Sequence, residues 1–201
     1  MLDRPTRSPA LHRVAVAVSE VFAPAVLVSL FLVLVSMTSA PWPQSALLAL
    51  VSVGFTTALP LGGVLALVRR GLLTDHHISR REQRAPVLAG AVISIVVGIL
   101  VLRLVGAPGA ILVAVVSTVV GVVIVLAVNL WWKLSAHSAV AVFVAIGGIL
   151  VAGPAAMPLP LIPAVVGWSR VRLRAHTPLQ VLAGYGVGAI IGGFYALLSP
   201  S

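Results

Sequence analysis

The sequence predicts an all-α fold, a polytopic transmembrane helix bundle of six or seven spans, and three observations carry that prediction. Of the 201 residues, 60% are hydrophobic and only 8% are charged, against about 25% charged in ordinary soluble domains. The apolar residues fall in stretches of roughly 20, each long enough to cross a hydrocarbon core about 30 Å thick. Short polar or Pro/Gly-rich connections separate the stretches, so 1–201 reads as a single integral membrane domain with no room for a soluble one.

The first stretch, Val14 to Met37, follows Arg4, Arg7 and Arg13 as a signal peptide would, but it is too long for one and is expected as a retained helix. The turn Ser39-Ala40-Pro41-Trp42-Pro43 leads into a second helix, Ser45 to Val68, giving a helical hairpin over 14–68. Arg69 to Arg84 is the most polar segment, and its charge density belongs at a surface or inside a protein pocket. Val87 to Val105 and Ile111 to Leu130, joined by Gly106-Ala107-Pro108-Gly109, return the chain to the side it left. Two shorter runs, Ser138 to Ala152 and Ala156 to Trp168, flank Gly153-Pro154 and leave the count at six or seven. Leu179 to Leu198 is the last span. Hairpin parity then gathers three polar loops, 69–84, 131–137 and 169–176, on one face.

The net charge of +9 arises from 13 Lys and Arg against 4 Asp and Glu. Basic residues beside transmembrane ends follow from the positive-inside rule and from anionic headgroups, so membrane lipids are the expected partners and nucleic acid is not. Arg69, Arg70, Arg172 and Arg174 are read in this way. Cysteine is absent, which excludes disulfides, thiolate metal sites and cysteine nucleophiles. Asp75-His76-His77 invites a metal, yet the remaining carboxylates are Asp3, Glu20 and Glu82, so neither a metal nor another cofactor is expected. Glu20 is costly in lipid and has either a functional role or a place near the interface, two turns from Arg13. Gly184, Gly188 and Gly192 have the small-xxx-small spacing of close helix packing, and a homo-oligomer is one use for such a ridge. Trp131, Trp132 and Trp168 put the second and third loops at headgroup depth.

The chemistry-bearing residues sit in those loops. The third contains Ser169-Arg170, five further residues, His176, and then Thr177-Pro178-Leu179-Gln180. The second is Lys133-Leu134-Ser135-Ala136-His137, and the first ends in Arg84-Ala85-Pro86 with His77 seven positions before the arginine. This ordered trio resembles the three signatures of the type 2 phosphatidic acid phosphatase family, K-x6-R-P, P-S-G-H and S-R-x5-H-x3-D. The resemblance covers about 75–192, the expected catalytic core, and the ordered trio is more specific than any one element.

The resemblance implies that family's membrane fold and a metal-independent lipid phosphatase. Its substrate would be a lipid phosphomonoester or diphosphate: phosphatidate, phosphatidylglycerophosphate, or polyprenyl phosphate or diphosphate. By resemblance His176 attacks phosphorus to form a phosphohistidine and His137 protonates the departing alcohol oxygen. Arg84 and Arg170 would clamp the phosphate oxygens, and Ser135 would add its hydroxyl and backbone N–H. Ser169, Lys133 and His77 complete the expected phosphate-binding set.

The departures are Gln180 for Asp, His77 for Lys, and Leu134 and Ala136 for Pro and Gly. Gln180 matters most, because a carboxylate fixes the tautomer of a nucleophilic imidazole, and the acid-to-amide change costs about 10⁴-fold in the serine-protease template. A Gln carbonyl can still accept the imidazole N–H, so Gln180 is expected to orient His176. The alternative is a non-catalytic lipid-phosphate binder or transporter. A lipid-diphosphate transferase is disfavoured by the lack of paired Asp-rich magnesium motifs. The family usually works outside the cytoplasm, whereas Arg4, Arg7, Arg13, Arg69 and Arg70 place this site on the cytoplasmic side.

Overall fold

The computed structural model describes residues 8–72 and 81–199, with the side chains of 81–85 and 88 outside that description. Among the described residues there are nine α-helices and no strand: α1 (Pro9–Val21), α2 (Pro24–Ser39), α3 (Gln44–Val53), α4 (Leu59–Arg69), α5 (Arg81–Leu104), α6 (Gly109–Trp131), α7 (Ala136–Ala152), α8 (Leu161–Arg172) and α9 (Pro178–Leu198). Among the described residues, four helical segments are long and apolar enough to cross a membrane: Gln44–Arg69, Gly109–Trp131, Ala136–Ala156 and Pro178–Leu198. The bent pair α1 and α2 makes a fifth if it is one span. The chain is thus a multi-pass membrane protein.

The expected first helix, Val14 to Met37, is two helices meeting at 44°. Pro24, in the first turn of α2, has no N–H to give the preceding turn and disfavours helical geometry at Ala23. The second span handles its proline differently. Between α3 and α4 the residues Gly54–Ala58 form a π-turn in which the Leu59 N–H bonds to the Gly54 carbonyl. Pro60 cannot donate in the next such bond, so the Phe55 carbonyl needs another donor. Ser94 of α5 supplies it, its hydroxyl donating to Phe55 at 2.7 Å. The span stays continuous, and the repair ties it to the neighbouring helix.

Downstream turns depend on glycine where φ is positive. Gly106 (φ 70) follows α5, with Gly106 N–H on the Arg103 carbonyl and Ala107 N–H on that of Leu102. These are the two bonds of a Schellman motif. Gly153 (φ 58) ends α7. Two expected spans fall short, α5, whose apolar part is Ala89–Leu104, and the still shorter α8. Its 12 residues rise only about 18 Å at 1.5 Å each, because Met157-Pro158-Leu159-Pro160 is taken up by turns before the helix begins.

The core centres on Phe31 of α2, Phe143 of α7 and Tyr195 of α9, which meet edge to face with centroids 5.2, 5.3 and 6.2 Å apart. α7 and α9 run parallel, since Gly184, Gly188 and Gly192 face Ser135/Ser138, Ala139/Val142 and Ile146 in rising order. A Cβ on Gly184 would stand 2.6 Å from the Ser135 carbonyl oxygen, and one on Gly188 would collide with that of Ala139. The glycine ridge is therefore used within the chain, not as a face for a second copy. Both helices start at the same end of the bundle. α6 and α8 finish there, and the short turn between α2 and α3, at the far end of α2 from α1, sends the α3/α4 span back so that α4 ends on that side as well.

Candidate functional site

Two connections meet at this end, 132–135 and 173–177, and helix capping shapes both. Ser135 is the N-cap of α7: its Oγ accepts the Ser138 N–H at 3.3 Å and the Ser138 hydroxyl at 2.8 Å. Thr177 caps α9 in a reciprocal box, taking the Gln180 N–H on Oγ1 at 3.3 Å while its own N–H donates to Gln180 Oε1 at 3.1 Å. The Ser135 N–H donates to the Gln180 carbonyl at 3.3 Å, which fastens the second loop to the third.

α8 ends in another Schellman motif, with Ala175 N–H on the Arg170 carbonyl and Arg174 N–H on that of Val171. The left-handed position is Arg174 (φ 56) where glycine is usual. This turn reverses the chain within four residues and sets His176 beside the start of α9. A second bond to the Arg170 carbonyl, from the His176 N–H at 3.3 Å, holds it there.

His176 is half-buried, and its pKa is pushed down to about 4, first by burial and then by the positive charges of Arg170 and Lys133. The Gln180 side chain and the Lys133 backbone act in the opposite direction and are outweighed. The imidazole is therefore neutral at physiological pH, with a lone pair next to two cations. Its Nδ1 is buried with no hydrogen-bond partner among the described residues. Arg170 points toward α1, where Nη1 donates to Ser19 Oγ at 2.6 Å, and its Nε is likewise buried without a partner. Glu20 acts electrostatically on the same guanidinium.

The structure thus gathers Lys133, Ser135, Arg170, His176 and Gln180 around one junction, with half-buried His137 in the first turn of α7. Three expectations change. The Ser135 N–H, expected to meet a phosphate, is taken by the Gln180 carbonyl. Ser169 is fully buried and its hydroxyl returns to its own helix, donating to the Val166 carbonyl at 2.8 Å. Gln180 has its Oε1 committed to Thr177, so its hold on His176 is weaker than a free side chain would give. Arg84 lies in the first turns of α5 with its side chain outside the described part, and His77, like Asp75 and His76, falls outside the described residues. No cluster of three or more His, Asp or Glu suited to a metal occurs among the described residues.

Ser19 is the residue that sequence reasoning passed over. Its signal was the pair Ser19-Glu20 inside an apolar run, of which only the charged member drew notice. Comparison with protein-family models, with curated proteins and with solved structures gives no match for this chain.

Proposed function

We propose that the protein is a membrane lipid-phosphate phosphatase that works without a metal, through a phosphohistidine on His176. The observation that carries this reading is a neutral, half-buried His176 beside the cationic Arg170 and Lys133, where the second and third loops join. Phosphate esters resist attack until fixed cations and donors hold their oxygens, and a nucleophile must keep its lone pair beside those cations. In the first step a ring nitrogen of His176 bonds to phosphorus as the bridging P–O bond breaks, and His137 gives its proton to the departing oxygen, that of the lipid alkoxide from a monoester or of the lipid phosphate from a diphosphate. In the second, His137 takes a proton from water as the water oxygen attacks phosphorus. Inorganic phosphate leaves and His176 is restored neutral.

The accompanying fold reading is the family bundle of six or seven spans, which counts α5 and the short α8 as crossing. The substrates are phosphatidate, phosphatidylglycerophosphate, or polyprenyl phosphate or diphosphate. Arg84 on the first loop adds a further cation to the clamp. The site faces the cytoplasm, because among the described residues Arg13, Arg69, Arg70, Lys133, Arg170, Arg172 and Arg174 lie at its end of the bundle and Arg103 alone lies at the other.

A second reading, a non-catalytic lipid-phosphate binder, is favoured by one observation. Gln180 Oε1 is bonded to the Thr177 N–H while His176 Nδ1 has no partner among the described residues, so no carboxylate fixes the imidazole tautomer. The test is phosphate release by purified wild type and His176→Ala protein in detergent with a chelator present, across the three lipid classes. Release by wild type that vanishes in the variant supports the phosphatase. Lipid binding by both proteins with no release from any lipid supports the binder.

A further inference from the structure

Two cavities outside the His176 junction share one residue, Arg172. The first, about 390 Å³, lies between α1 and α8 and is lined by Pro9, His12, Arg13 and Arg172. The second, about 480 Å³, runs along the outer side of α8 and α9 and is lined mainly by apolar groups, among them Trp168, Val171, Val181 and Leu182, with Arg172 at its rim. Arg170, two residues earlier on α8, turns instead to Ser19, so the two arginines serve different faces.

The first cavity concentrates positive charge, and no carboxylate lines it among the described residues. Arg13 and Arg172 come from different helices, and like charges in one cleft repel. Glu20, the one carboxylate whose side chain is described, does not line this cleft and acts on Arg170. An anion with several acceptor oxygens would relieve that repulsion, and guanidinium groups suit phosphate oxygens through paired hydrogen bonds. The second cavity offers what an anion alone does not need, an apolar trough. Trp168 places Arg172 at headgroup depth, where aromatic residues mark the interface.

We propose that α1, α8 and α9 form a binding site for one anionic phospholipid. Its headgroup phosphate is held by Arg13, His12 and Arg172, and one acyl chain lies in the trough beside Trp168, Val171 and Leu182. None of these residues belongs to the proposed phosphate-transfer machinery, so the inference stands whether or not the chain is a phosphatase. The amphipathic α1, set at 44° to α2, carries Arg13 and His12 to the headgroup, and an occupied site would clasp α1 to α8.

The test uses the full chain in nanodiscs of phosphatidylcholine with increasing phosphatidylglycerol, read by native mass spectrometry as lipids retained on release. The expected result is one phosphatidylglycerol retained in preference to phosphatidylcholine. Arg13→Gln/Arg172→Gln should weaken that retention by about tenfold or more, since each basic residue near an anionic surface contributes about 1 kcal/mol. Arg69→Gln/Arg70→Gln, which removes the same charge from the same end, should leave retention unchanged. Leu182→Trp, which fills the trough and leaves both arginines, should weaken it too, so a folding defect in one variant does not decide the matter. Equal loss in the Arg69/Arg70 variant would reduce the effect to general surface charge and overturn the site. Full retention by the Arg13/Arg172 variant, or displacement of the lipid by inorganic phosphate at matched concentration, would overturn it as well.

Discussion

The α7–α9 seam and the α1–α8 seam hold the bundle by opposite means. The first is backbone against backbone, with Gly184, Gly188 and Gly192 letting α9 lie directly on Ser135, Ala139 and Ile146. The second is a polar contact between Ser19 and Arg170, with, among the described residues, a buried guanidinium N–H lacking a partner and beside it a cleft lined by two arginines and no carboxylate. In a membrane, close packing of small residues drives helix association without a hydrophobic term between the helices. Buried polar groups instead cost energy unless every partner is supplied. The first seam is built to stay closed, and the second to respond to what binds it.

The sharpest way to break this contrast is to add volume to the first seam. Gly188→Leu should lower the midpoint of thermal unfolding in detergent by many degrees or abolish the folded protein, since overpacking costs about 1–3 kcal/mol and more against backbone atoms. Gly186→Ala, two residues away on an open face with nothing within 4 Å of a Cβ, should leave the midpoint unchanged or raised. Equal losses in both would show that glycine helps for reasons other than close approach.

A pH titration probes the polar seam. His176 is expected to titrate near 4 by ring NMR, and Arg170→Ala should move that midpoint up toward the ordinary histidine value by removing a neighbouring cation. The sign for stability follows from the depressed pKa. Between about 6.5 and 4 the unfolded chain takes up a proton that the folded site resists, so acid destabilises the fold across that window and has no such effect above it. In Arg170→Ala the window narrows. An unmoved midpoint would mean that the guanidinium does not act on the ring.

Smaller effects follow at single bonds. Ser19→Ala leaves the Arg170 Nη1 without its acceptor and should cost about 1–3 kcal/mol in denaturant-linked unfolding, the range for an unsatisfied buried donor. Arg174→Gly should stabilise by up to about 1 kcal/mol, because the α8 end then has the residue its left-handed geometry favours. A loss of stability would assign the Arg174 side chain a contact that outweighs its strain.

The two seams also differ in how far the sequence discloses them. The glycine spacing announces a close helix contact on α9 without naming α7 as its partner, and Gly106 and Gly153 mark their turns. Pro24 stood visible inside the first apolar run, and its missing N–H breaks the helix that apolar content alone would continue. Pro60 looks equivalent, yet its helix continues, since the repair comes from Ser94, 39 residues from Phe55, and no local pattern shows that. At the site, the sequence placed the second and third loops together, and they share the Ser135–Gln180 bond. What it did not disclose is competition for side chains. Thr177-Pro178-Leu179-Gln180 has the spacing of a capping box, so Gln180 serves the helix start as well as any role beside His176. Ser169 is drawn into its own helix, and Arg170 reaches a partner 151 positions away.

The most direct test of the central claim is trapping the covalent intermediate. Wild type mixed rapidly with phosphatidate carrying a ³²P phosphate and quenched in base should retain label that is stable to alkali, released by acid, and absent from His176→Ala. Turnover of the lipid with no label on the protein, or label that persists in His176→Ala, would contradict a phosphohistidine at this position.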